Sequence, residues 1–235
     1  MPQPIIALTR PRQGSEAMAQ ALADLPATIL VAPLQEIRPR TDEIVLLDQD
    51  ILVFTSRAAI CSALQQITLA GRAAFAVGAQ SAKELRKAGA TVIGQAPTAT
   101  ELAGVITQHS PKERCHYLRG RHISLDLPKL LNSAGIETVS TIVYDQLDCP
   151  ASAALLAALH GDSPVILPLF SARSAALLDR TTTDARATAS LYSIAISEAV
   201  NAQINGAAMT SRLVAASPDA DAMMKEIRAL VASFD

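Results

Sequence analysis

The chain has 235 residues, half of them apolar and 18% charged, with 20 basic against 22 acidic side chains and a formal charge of -2. This much apolar material fills one large core or two small ones, which excludes a disordered chain. No basic cluster offers the footprint that nucleic acid requires, and no run approaches the roughly 20 apolar residues of a membrane helix, so neither partner is expected.

Aromatics are scarce and Trp is absent, which favours aliphatic helices packed on aliphatic strands. The first β-branched run, Pro4 to Leu8, ends in Thr9-Arg10-Pro11 and hands over to an Ala-rich amphipathic stretch. The same alternation of strand, turn and helix recurs at Thr28 to Val31, Asp50 to Phe54, Ala73 to Val77 and Thr91 to Ile93. It continues at Cys115 to Leu118, Glu137 to Ile142, Pro164 to Leu169, Ala189 to Ala195 and Arg212 to Ala215. Such a series predicts parallel sheet covered by helices. About ten strands exceed one flavodoxin-sized sheet and suit two sheets of five.

The two halves also echo each other. Ala7 to Arg12 parallels Tyr117 to Arg121, and Ile51 to Arg57 parallels Ile166 to Arg173. Ala76 to Ala82 is matched by Ala195 to Ala199, and Gln95-Ala96-Pro97-Thr98 by Ala216-Ser217-Pro218-Asp219. Hydroxyl residues gather where strands hand over to helices in these echoes. Thr55, Ser56, Ser81, Thr98, Ser171 and Ser197 are read first as helix N-caps, each worth about 0.5–2 kcal/mol. The same positions lie at the carboxyl ends of parallel strands, where helix amino termini offer N–H groups to anions.

Missing motifs narrow the chemistry. There is no Gly-x-Gly-x-x-Gly after the first strand, no phosphate-loop Gly-Lys-Ser/Thr and no Gly-x-Ser-x-Gly elbow, so a nucleotide cofactor or an acyl-enzyme is disfavoured. Cys61, Cys115 and Cys149 neither pair as a disulfide framework nor match a zinc spacing, and His109, His116, His122 and His160 form no metal-binding helical pair. No cofactor and no metal are expected. The opening Met1-Pro2-Gln3-Pro4 has no cationic segment, so export is not expected and a cytoplasmic location is.

Thr9-Arg10-Pro11, Phe54-Thr55-Ser56, Val77-Gly78 with Ser81-Ala82, Leu118-Arg119-Gly120 and Val143-Tyr144, in this order and spacing, resemble the uroporphyrinogen-III synthase family over nearly the whole chain. The chain departs from that pattern where Ser81 replaces a usual Thr. Phe170 and Ile196 also break the second-half echoes. The resemblance implies two flavodoxin-like parallel-sheet α/β domains joined by a two-stranded connector, with the chain crossing twice. Residues 1–33 plus 150–235 would form one domain and 42–141 the other, with 34–41 and 142–149 as connectors. Pro33, Pro39 and Pro150 punctuate the crossings.

The family's activity, as the resemblance implies it, is cofactor-independent cyclisation of hydroxymethylbilane. Loss of the hydroxyl gives an azafulvene cation, ring D is attacked at its substituted carbon, and a spiro intermediate reopens and closes as uroporphyrinogen III. The substrate closes unaided to isomer I, so the protein steers more than it activates. An interdomain cleft would hold the substrate's eight carboxylates through Arg10, Thr55, Ser56, Gly78, Ser81, Arg119, Gly120, Ser171 and Ser197. Tyr144 is the candidate general acid at the departing hydroxyl. A monomer is expected, with transient contact to hydroxymethylbilane synthase. The alternative from another class is a two-domain α/β small-molecule binding protein without catalysis.

Overall fold

The computed structural model describes residues 2–234. In chain order the first half comprises β1 (Ile5–Leu8), α1 (Arg12–Ala21), β2 (Thr28–Val31), β3 (Gln35–Pro39), β4 (Ile51–Phe54), α2 (Arg57–Ala63), β5 (Ala73–Val77), α3 (Ala79–Lys87), β6 (Thr91–Ala96) and α4 (Ala99–His109). The second comprises β7 (Cys115–Gly120), α5 (Leu127–Ser133), β8 (Thr138–Asp148), α6 (Ala153–His160), β9 (Val165–Leu169), α7 (Ala172–Asp184), β10 (Leu191–Ala195), α8 (Glu198–Asn201), β11 (Ser211–Val214) and α9 (Ala220–Ala232).

The chain divides into two compact units, Met1–Glu36 with Leu147–Asp235, and Ile37–Gln146. The first holds a sheet in the order β11-β10-β9-β1-β2, all its pairs parallel. From the other edge this reads second, first, third, fourth and fifth strand of the unit, the flavodoxin-like order. The other sheet runs β3-β8-β7-β4-β5-β6, and its pairs β8-β7, β7-β4, β4-β5 and β5-β6 are parallel. Taking β7 as first strand, β8-β7-β4-β5-β6 repeats the same order in permuted form. The sequence echoes explain the permutation: β1 corresponds to β7, β9 to β4, β10 to β5 and β11 to β6. Each sheet therefore combines the first strand of one repeat with the later strands of the other.

Both faces of each sheet are covered, as the strand composition demands. In the first unit Ala7, Val165, Leu167, Leu169 and Leu191 pack on one face against Leu155, Leu159 and Leu178. Ile6, Leu8, Ile166 and Ile194 pack on the other against Met18, Leu22, Met223 and Ile227. In the second unit Leu52 and Phe54 face α2 and α3, whereas Ile51 and Val53 face α4 and α5. All four residues of β4 are buried.

Several expectations change. Residues 35–39, within the first expected strand of the two-stranded connector, form β3, which pairs with β8 at the edge of the second sheet, so that sheet has six strands where five are expected. An edge is where the missing N–H of Pro39 costs no ladder bond. β8 continues to Asp148, through most of the other expected connector. Bonds from Arg40 N to Val143 O and from Cys149 N to Leu34 O run the two segments in opposite directions. Among the predicted caps, Ser56, Thr98 and Ser171 cap α2, α4 and α7, and Thr98 forms a reciprocal capping box with Glu101. Asp219, the echo of Thr98, caps α9. Ser197 stands at the N-cap of α8 without a side-chain cap bond. Thr55 and Ser81 are not caps: Thr55 lies one residue too early, and Ser81 lies inside α3, whose N-cap is Gly78.

The amino-terminal ends of β4 and β7 are tied by a buried charge cluster. The Asp50 carboxylate accepts from Arg114 Nε and Nη2 at 2.9 and 2.8 Å and from Leu47 N at 2.9 Å, and lies 3.3 Å from His116 Nδ1. Burial pushes the Asp50 carboxyl up, but these bonds outweigh it and hold its pKa below the usual 3.8. Burial pulls His116 below 6.5 in spite of Asp50. In both cases the unfolded chain binds protons more readily, so stability is full above about pH 6.5 and falls as the solution is acidified. Asp50→Ala should lower the unfolding free energy at pH 7 by about 3 kcal/mol, because Arg114, whose side chain is only 21% exposed, loses its partner. Urea titration measures this; an unchanged midpoint would show that the cluster stabilises nothing.

Candidate functional site

Where strand order reverses in a parallel sheet, the flanking helices leave to opposite faces and a crevice opens outside the carboxyl ends of the strands. The reversal lies between β1 and β9 in the first unit and between β7 and β4 in the second.

In the second unit β4 ends at Phe54, and Thr55 and Ser56 lead into α2. Strand alternation sends these two hydroxyls to opposite sheet faces, and each meets a phenol. Thr55 Oγ1 lies 2.7 Å from Tyr117 Oη, and Ser56 Oγ lies 3.0 Å from Tyr144 Oη. Ser56 Oγ also accepts from Ala59 N at 3.2 Å. A serine oxygen has two lone pairs and one proton. With the more acidic phenol donating, both lone pairs of Ser56 are engaged and its proton is left for a ligand.

Tyr144 and Tyr117 are 6% and 3% exposed. Burial raises the pKa of each above 10, against the opposing bonds to Ser56 and Thr55. Both phenols therefore remain neutral donors at neutral pH. A register shift between Arg119 and Gly120 sets Gly120 opposite Tyr144. A Cβ on Gly120 would lie 2.5 Å from the ring carbon Cζ of Tyr144, so the ring occupies the space that only glycine leaves.

Arg119 folds back on its own strand end, donating to Ser140 Oγ at 3.2 Å and to Gly120 O at 3.1 Å. Arg121 and Arg40 share Asp145 at 2.6 and 3.3 Å. One strand further on, Gly78 holds φ +82, a left-handed conformation that favours glycine, and a Cβ there would meet nothing within 4 Å. It leaves the amino terminus of α3 open, whereas Ser81 is buried below it.

The first unit arranges its crevice differently. The Arg10 guanidinium lies 4.0 Å above the Phe170 ring, and Ser15 Oγ donates to Arg10 O at 2.9 Å. Ser171 Oγ accepts from Ser174 N at 3.1 Å and lies 2.8 Å from Ser174 Oγ, which in turn accepts from Gln35 Nε2 at 2.9 Å. Ser171 is the structural counterpart of Ser56, and Phe170 of Thr55. The first unit thus replaces a hydroxyl by an aromatic platform under a cation.

The structure brings Thr55, Ser56, Arg119, Gly120 and Tyr144 together at the carboxyl ends of β4, β7 and β8, with Gly78 on the adjacent turn. It brings Arg10 and Ser171 to the carboxyl ends of β1 and β9, with Ser197 on the turn after β10. Sequence reasoning misses Tyr117 and the stacking role of Phe170. Alternation alone reveals neither, because each depends on strand register. Among the described residues no group of His, Cys, Asp or Glu is arranged to hold a metal ion, and no helix is long and apolar enough to cross a membrane.

A family model described as uroporphyrinogen-III synthase HemD matches residues 16–225. The uroporphyrinogen-III synthetase structure from Helicobacter pylori is similar in fold, with TM-score 0.66 and 20% identity over 97% of this chain and 99% of that one. A mutant uroporphyrinogen III synthase from the extremely thermophilic bacterium Thermus thermophilus gives 0.52 and 15% over 99% and 100%. No curated protein matches.

The tight seat of Tyr144 makes a direct prediction. Gly120→Ala should destabilise by about 1–3 kcal/mol, because the ring or the strand end must move. In a Tyr144→Leu background, which removes the ring, the same change should cost clearly less. Equal costs in chemical denaturation would show that the ring does not fill the glycine's space.

Proposed function

The chain belongs to the uroporphyrinogen-III synthase family, a lyase of porphyrin biosynthesis that cyclises hydroxymethylbilane, and we propose that it does so by seating the substrate's carboxylates at the carboxyl ends of its parallel strands. The observation that carries the site assignment is the Ser56–Tyr144 contact beside Gly120. It couples a buried neutral phenol to a half-buried hydroxyl, whose proton is free when the phenol donates, at the strand-order reversal where ligands collect.

In this reading Thr55, Ser56, Gly78, Ser81, Arg119 and Gly120 form the carboxylate-binding group of the second unit. Arg10, Ser171 and Ser197 form that of the first. Ser81 acts from beneath, by holding α3. Each carboxylate at a helix amino terminus gains about 0.3–1 kcal/mol, and each charge-assisted hydrogen bond about 1.5–3 kcal/mol. After ordering costs, several such contacts support an affinity of about 1 μM without a net basic protein. Arg10, steadied on Phe170, supplies a directed cation where the first unit lacks the Thr55 hydroxyl.

Catalysis needs one proton at the departing hydroxyl, which leaves as water. Tyr144 is the donor, and the Ser56 hydroxyl hydrogen-bonded to it is the path from the buried phenol to the substrate. The remaining effect is positional: fixed carboxylates hold ring D so that its substituted carbon meets the cation and the spiro closure outruns direct closure. No cofactor enters. Segments 34–41 and 142–149 serve as connectors between a domain of 1–33 with 150–235 and one of 42–141. The protein works as a cytoplasmic monomer that receives its unstable substrate in transient contact with hydroxymethylbilane synthase.

The test is to supply hydroxymethylbilane and separate the product isomers by chromatography. The wild-type chain should yield isomer III. Tyr144→Phe should turn over about tenfold more slowly, less than the usual 10²–10⁴-fold for a general acid because the hydroxyl departs readily. Isomer I alone from the wild-type protein would refute the steering role. Full turnover by a natively stable Tyr144→Phe would remove the phenol from the reaction.

A further inference from the structure

Tyr144 has a counterpart that the proposed mechanism does not use. Tyr117 lies opposite Val53 in the β7–β4 ladder and packs with Ile51, Val53, Phe75, Leu102 and Leu127. Tyr144 packs across the sheet with Leu52, Phe54, Ala59 and Ile60. The two phenols reach consecutive residues of the β4–α2 turn from opposite faces, Tyr117 to Thr55 at 2.7 Å and Tyr144 to Ser56 at 3.0 Å.

A threonine hydroxyl rotates about its C–O bond and points wherever its best partner lies. A carboxylate accepts hydrogen bonds and donates none, so Thr55 serves it only when the hydroxyl proton is turned outward. With the phenol, the more acidic partner, as the donor, a lone pair of Thr55 Oγ1 is occupied and the threonine proton is left for a ligand. Donation also polarises the hydroxyl and strengthens its outward bond. Tyr117 is itself 3% exposed and does not reach a ligand.

We infer that Tyr117 is a positioning residue for substrate selection: its phenol orients the Thr55 hydroxyl toward a substrate carboxylate, and so helps to fix the ring D arrangement that decides between the two isomers. This rests on the proposed carboxylate site of the second unit. The first unit has no such pair, since Leu8 and Phe170 occupy the corresponding places.

Tyr117→Phe, Thr55→Val and the double variant separate this from a structural bond. The loss of one oriented hydrogen bond should raise KM about three- to tenfold and increase the share of isomer I, with kcat within about twofold of wild type. In the Thr55→Val background the phenol deletion should add nothing to either readout, because its effect passes through the threonine. Thr55→Ser, which keeps the hydroxyl, should restore most of the KM. If Tyr117→Phe lowers only the melting temperature, and leaves KM and isomer ratio at wild-type values while Thr55→Val changes both, the inference fails and the carboxylate site stands. If Thr55→Val also leaves both unchanged, the site assignment and the inference fall together.

Discussion

Parallel pairing is the constraint on which this molecule depends. Every strand in a parallel sheet delivers its carboxyl end, and the amino terminus of the helix that follows, to the same edge. Hydroxyls, glycines and unpaired N–H groups from distant parts of the chain are thereby collected without any motif joining them in sequence. Thr55 and Tyr117 meet because β4 and β7 are neighbours, and Ser56 and Tyr144 because β8 lies next in line. In the proposed function a polyacid meets oriented dipoles along that edge, although the chain as a whole is slightly acidic.

The permuted repeat gives the fold its other character. Ile5 pairs with Val165, far along the chain, while the second unit is built from one continuous segment. Closing so long a loop is slow but adds little thermodynamic cost when the intervening chain is already compact. The two crevices share one sequence pattern and differ in what they make of it. The second unit keeps paired phenols and hydroxyls, and the first holds an arginine on an aromatic ring with a serine network at its cap. One copy suits proton transfer and directional hydrogen bonding, and the other suits charge.

Strands are the most legible feature. Thr28–Val31 and Ala73–Val77 end where the sequence pattern ends them, because β-branched runs there are bounded by turn residues. Gln35–Pro39 is placed in a two-stranded connector and not counted among the sheet strands, since a polar edge strand lacks the apolar alternation of a buried one. Ser56, Thr98 and Ser171 are recognisable as caps from composition. Thr55 and Ser81 are not, as a shift of one or two residues separates a cap from a strand end or a helix interior. Of the candidate site, the sequence names the strand-end residues and Tyr144, but neither Tyr117 nor the pairing of each phenol with its hydroxyl. Whether a phenol on a neighbouring strand reaches a hydroxyl is decided by register, which Cys115-His116-Tyr117 does not encode locally.

The central claim is that substrate carboxylates are held at the strand carboxyl ends of both sheets. Amide chemical-shift mapping with uroporphyrinogen III, added under anaerobic conditions, tests it most directly. The account predicts saturable shifts at the amides of Ser56, Gly78, Ala79 and Gly120 and around Arg10 and Ser171, with the Asp50–Arg114 end of the second sheet undisturbed. Shifts concentrated around Asp50, or absent from the Thr55–Ser56 turn at saturating ligand, would contradict it.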